Sequence, residues 1–160
     1  SHRTNDALSA DQAYGWAARM LLEAVQTAPR DTPGICLADF NLAIVFAGLD
    51  ELNAADQLFT RAQPCLETAQ QAFLAVHWAD VMVRQGRTSE ALDLLREARQ
   101  KSPENMDVQW ALARTFVKLG LLNDAREEYE TLLAHPDLAP QGRAMLEKEL
   151  TALQPDTGRS

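Results

Sequence analysis

Three stretches of this chain can be laid over one another: AGLDELNAADQLFTRAQ, RQGRTSEALDLLREARQ and KLGLLNDAREEYETLLA. Each sets a small residue early in a helical pattern, at Ala55, Ala91 and Ala125, spaced by 36 and then 34 residues. Four residues on come Phe59, Leu95 and Tyr129, and three further come Ala62, Ala98 and Leu132. One helix face thus alternates small and large, as close helix packing requires. The helices before these agree: Leu42-Ala43, Trp78-Ala79 and Leu112-Ala113 are large–small pairs, with Phe46, Met82 and Phe116 three residues after each alanine. Apolar residues recur at three and four and never alternate, so the chain is read as helical nearly throughout. A helix pair of about 34 residues cannot bury both faces alone, so such pairs must stack. Gly48, Gly86 and Gly120 lie in the short turns inside the pairs, and Asn53, Ser89 and Asn123 are expected to cap the helices that follow.

This pattern resembles the tetratricopeptide repeat. Its first-helix signature is matched by Ala75-x-x-Trp78-Ala79-x-x-Met82 and Gln109-x-x-Leu112-Ala113-x-x-Phe116, its second-helix signature by Ala125-x-x-x-Tyr129, and its closing proline by Pro103. The resemblance covers about residues 36 to 136. It departs from the family in lacking the first Trp, in having Ala for the packing Gly, and in the first unit, where Asp50 stands at the turn position and Pro64 comes early. The resemblance implies an all-α fold, a right-handed superhelix of stacked antiparallel helix pairs (an α-solenoid).

The ends differ from the middle. Residues 10–28 read as a helix in which Ala17, Leu21 and Ala24 repeat the second-helix spacing, as a remnant of a preceding unit would. Its apolar side is unusually wide, with Tyr14, Trp16, Met20, Leu22 and Val25 around the stripe. Residues 139–153 read as a terminal solvating helix: Met145, Leu146, Leu150 and Leu153 form one stripe, while Arg143, Glu147, Lys148 and Glu149 face water. The tail QPDTGRS is expected to be disordered. The expected organisation is a tail and partial-repeat helix over 1–34, repeats over 35–64, 65–104 and 105–137, and a capping helix and tail over 138–160. The chain opens on Ser1-His2, as a processed or excised chain does.

The net charge of −8 argues against nucleic acid, which needs a basic face, and against anionic membranes. No stretch reaches the length of a membrane span. Cys36 and Cys65 match no metal spacing and are read as two small, buried or half-buried thiols; a bridge would require that the helix starts carrying them lie side by side. No glycine-rich phosphate loop is present, and His2, His77 and His135 share no ligand spacing with cysteines or carboxylates. His77 and Asp80 could suggest a base and its orienter, but no nucleophile or metal completes them, and Asp80 more simply pairs with Arg84. The run Glu127 to Glu130 reads as a solvated face. No catalytic, cofactor or metal site is expected.

Function is therefore expected on a surface. The resemblance implies that the first helix of each pair lines the concave side: Leu37, Phe40, Ile44 and Ala47 in the first unit; Phe73, Val76, Asp80 and Val83 in the second; Asp107, Trp110, Arg114 and Val117 in the third, with Asn41 and Lys118 beside them. Phe40 and Ile44 stand at two places where relatives that clamp a C-terminal carboxylate use Lys and Asn, so that class is rejected. Trp110 is the expected anchor and Trp78 is expected in the core. The chain is expected to be a non-enzymatic scaffold that holds a partner helix or apolar peptide in this groove. The resemblance to bacterial members of the family implies an envelope-associated assembly such as polysaccharide export. The alternative is a structural element whose N-terminal helix pairs with a second copy, or packs on a missing part of the same protein. The compartment is read as the cytoplasm, with a membrane-anchored or periplasmic soluble domain as the alternative.

Overall fold

A computed structural model describes residues 9–153; His2 and the tail QPDTGRS lie outside the described residues. The described chain is all-helical: α1 (Ala10–Thr27), α2 (Ile35–Gly48), α3 (Leu52–Ala62), a 3-10 turn (Gln63–Cys65), α4 (Thr68–Arg84), α5 (Thr88–Lys101), α6 (Met106–Lys118), α7 (Leu122–Leu133) and α8 (Pro140–Ala152). It forms two compact units, one ending at Leu66 and the other starting at Glu67. In the first, α2 and α3 pair and α1 packs on α2; in the second, α4 pairs with α5, α6 with α7, and α8 packs on α7. No helix among the described residues is long and apolar enough to cross a membrane.

The repeat register is the register of burial. Ala55, Phe59 and Ala62 are fully buried, as are Ala91, Leu95 and Ala125, with Tyr129 and Leu132 nearly so. The large–small pairs of α2, α4 and α6 are buried too, Trp78 among them. Small residues let two helix backbones approach, and the large side chains fill the space between them; each large side chain so buried contributes about 1.5–3 kcal/mol.

The tight turns follow from backbone geometry. Asp50, Gly86 and Gly120 all take a left-handed φ, at 61°, 80° and 74°. After each, the next N–H donates five residues back: Glu51 to the Phe46 carbonyl at 2.9 Å, Arg87 to Met82 at 2.8 Å, and Leu121 to Phe116 at 2.9 Å. This closure satisfies a carbonyl that the helix end would leave unpaired. Glu51, Arg87 and Leu121 are in turn the N-cap residues of α3, α5 and α7, with no side-chain cap bond. The expectation that Asn53, Ser89 and Asn123 cap these helices is corrected: all three lie one residue inside the helical turn, because the left-handed residue brings the chain into the next helix two residues sooner. Gly48 is likewise the last residue of α2, and Asp50 makes that turn.

The first unit has a polar core as well. Asp39 is fully buried; Arg30 donates to it at 2.6 Å and the Arg61 guanidinium stands 3.7 Å away. Arg30 also donates to the Arg61 carbonyl at 3.0 Å, and Arg61 to the Val25 carbonyl at 3.1 Å, tying α1 and α3 together. Cys36 and Cys65 form a disulfide, so the reading of two thiols is corrected. Cys36 opens α2 and Cys65 follows α3; antiparallel pairing brings those two ends together, with the Cα atoms 6.1 Å apart.

Two expectations for the ends also change. In α8 only Leu146 is fully buried and Met145 is about half exposed. In the acidic run, Glu127 and Glu130 are exposed, but Tyr129 is core and Glu128 turns inward to pair with Arg99 of α5.

Candidate partner-binding site

Within the second unit α4 and α6 lie against one another and leave a cleft of about 200 Å³. Its lining is Val76, Ala79, Asp80 and Val83 from α4, and Ala111, Arg114, Thr115 and Lys118 from α6. The helical spacing of three and four puts each set on one face of its helix. Ala79 and Ala111 leave the hollow, because a methyl group stands there between larger neighbours.

Charge is confined to the rim. Asp80 is paired with Arg84, four residues on, at 3.5 Å. Arg114 is half exposed and Lys118 is exposed. An otherwise acidic chain thus sets the exposed Lys118 beside an apolar floor, with Arg114 next to it paired to Glu149.

Five of the residues expected in or beside the groove meet here: Val76, Asp80, Val83, Arg114 and Lys118. Phe73, at the start of α4, is about half exposed and outside the cleft, as are the half-buried Val117 and Trp110. Asn41 is exposed and Ile44 half-buried, both in the first unit. Phe40 is corrected: it is 7% exposed and packs on the Phe59 ring, with centroids 6.2 Å apart, so it is core rather than surface. Ala79, Ala111 and Thr115 were not among the expected lining residues. Their signal is faint, since small residues mark a hollow only when the residues around them are known.

Beside the cleft, α8 meets α6. The Trp110 indole N–H donates to one Glu149 oxygen at 2.7 Å, and Arg114 donates to the other through Nε at 3.0 Å and Nη2 at 2.6 Å. The Arg114 guanidinium also lies 4.8 Å from the centre of the Trp110 ring. Burial works against the charge of Glu149, but hydrogen bonds from Arg114, Trp110 and Tyr129 outweigh it and hold the carboxyl below its ordinary value. The Tyr129 phenol is pushed up, by burial first and then by its hydrogen bond to Glu149 and that group's charge. Glu149, expected to face water, is instead the anchor of the last helix. Among the described residues no three His, Cys, Asp or Glu gather closely enough to hold a metal ion.

Within the second unit, the stacked antiparallel pairs α4/α5 and α6/α7 define a helical-repeat fold. Residues 82–148 match the family model of the tetratricopeptide repeat. Such repeats generally mediate protein–protein interaction. No curated protein matches the chain.

Proposed function

We propose that the chain is a non-enzymatic binding module that holds an apolar helix or peptide of a partner protein in the α4/α6 cleft, with an acidic group of that partner against Lys118. The observation that carries this reading is the cleft itself. At about 200 Å³ it is smaller than the roughly 300–1,000 Å³ of small-molecule sites. It suits a few inserted side chains, while Lys118 at its mouth has an exposed charge to offer. The Cys36–Cys65 disulfide supports an oxidising compartment, in keeping with an envelope-exposed soluble domain rather than a cytoplasmic one. A polysaccharide-export assembly remains a proposal carried by family resemblance alone.

The test is photo-crosslinking from Val83 in the organism of origin, repeated with Val76→Asp and Lys118→Glu. Both variants are expected to lose the captured partner while keeping the helical circular dichroism. Retention of the same partner by both folded variants removes the cleft from consideration.

A further inference from the structure

The two sulfur atoms of the Cys36–Cys65 bridge sit in opposite surroundings. Cys36 is the second residue of α2, so its sulfur stands at the positive end of a 14-residue helix. Arg30 donates to that sulfur from Nη2 at 3.7 Å. The same guanidinium pairs with Asp39, which Arg61 also approaches, so two guanidinium groups and one carboxylate leave a net positive charge in this cluster. Cys65 closes the 3-10 turn that follows α3, at the negative end of that helix. The Ala62 carbonyl oxygen lies 3.6 Å from its sulfur. Exposure differs as well: Cys36 is 9% exposed, whereas Cys65 is open to solvent.

In thiol–disulfide exchange a thiolate attacks one sulfur and expels the other, and the step is faster the more stable the expelled thiolate. A helix N-terminus and a neighbouring arginine both favour a thiolate. Both stand at Cys36, whereas the open sulfur is that of Cys65. The bridge is therefore built to be attacked at Cys65 and to release Cys36.

We propose that Cys65 is a covalent modification site that takes a low-molecular-weight thiol as a mixed disulfide, with Cys36 as the leaving thiolate and Arg30 as the positioning residue that holds it. The incoming thiol gives its proton to solvent, and its sulfur forms a bond to Cys65 Sγ. The Cys36–Cys65 bond breaks, and Cys36 Sγ keeps the electron pair. One disulfide replaces another, so no net oxidation or reduction takes place. The step reverses when the Cys36 thiolate attacks Cys65 Sγ and expels the small thiol. Closed, the bridge ties the start of α2 to the turn after α3; opened, that tie is gone and Cys65 carries the adduct. The proposal is independent of the α4/α6 cleft.

The test exposes the full chain to reduced glutathione under native conditions. Samples are quenched early with acid and alkylated with N-ethylmaleimide, and peptide mass spectrometry locates each label. Glutathione on Cys65 with maleimide on Cys36 is expected to exceed the reverse by about tenfold or more. The preference is expected to vanish in guanidinium chloride, where neither the helix end nor Arg30 surrounds Cys36. Arg30→Gln is expected to lower it about fivefold, as loss of a unit charge about 4 Å away implies, and Arg30→Lys to restore most of it. Arg30 also supports the fold, so Asp39→Asn is the control: it loosens the same cluster but leaves both guanidinium groups, and the preference is expected to hold. Equal labelling of the two cysteines, glutathione chiefly on Cys36, or cleavage only in denaturant overturns the proposal. A preference that survives denaturant, or that Asp39→Asn abolishes as fully as Arg30→Gln does, overturns it too.

Discussion

The indole N–H of Trp110 on α6 donates to the carboxylate of Glu149 on α8 at 2.7 Å. With Arg114 on the other oxygen, this carboxylate fastens a helix in which Leu146 is fully buried and Leu150 half-buried. Hydrogen bonds to a charged group contribute about 1.5–3 kcal/mol when buried, and less where water competes. Glu149→Ala is expected to destabilise the second unit by about 1–2 kcal/mol. Faster amide exchange across α8 checks it, with α4 and α5 unchanged.

The same contact sets a pH dependence. The Glu149 carboxyl lies below its ordinary value in the fold, so its stabilisation is complete above the unfolded-chain value of about 4.3. It is lost as pH falls from there through the folded value. Tyr129 behaves oppositely: its folded value is raised, so its contribution is complete below about pH 10 and lost as pH rises. Following the Trp110 indole resonance through an acid titration checks the first, since it should shift together with loss of α8 protection.

Reduction of Cys36–Cys65 opens a loop with a sequence separation of 29 residues in the first unit. Loop-closure entropy puts the stabilisation from such a bridge at about 3–4 kcal/mol. Cys36→Ser with Cys65→Ser is expected to lower the denaturation midpoint of the first unit by a corresponding amount. Residue-resolved exchange in the second unit provides the internal control.

Asp39 and Arg30 are not symmetrical partners. Removing Arg30 leaves a fully buried carboxylate with Arg61 alone at 3.7 Å; removing Asp39 leaves two arginines that already reach solvent. Arg30→Ala is expected to cost about 2–4 kcal/mol and Asp39→Asn about 1 kcal/mol. Equal losses in chemical denaturation of the two variants would refute this ordering.

A Cβ at Gly86 meets no atom within 4 Å, so Gly86→Ala tests backbone conformation alone. With φ at 80°, it is expected to destabilise by about 1 kcal/mol. Asp50 already occupies the matching left-handed position, and Asp50→Gly is expected to stabilise by about 0.5 kcal/mol. Thermal unfolding of the two variants should shift in opposite directions.

The small–large–small spacing of Ala91, Leu95 and Ala98 determined, by sequence alone, that these helices pair, because helical periodicity fixes which residues share a face. It also marked Trp78 as core and Leu21 as part of the repeat register. What lies on the other side of a face is a different matter, decided only when elements meet. Phe40 and Phe73 both seemed to line the inside, yet Phe40 is closed off by Phe59 while Phe73 stays open. Glu149 looked like a solvated residue because its partners, Trp110 and Arg114, are far away in the chain. Cys36 and Cys65 sit at opposite ends of one helix pair, and only antiparallel packing brings those ends together. Local spacing determines a helix and its faces; long-range packing decides which faces are covered, which charges are paired and which surface is left to bind.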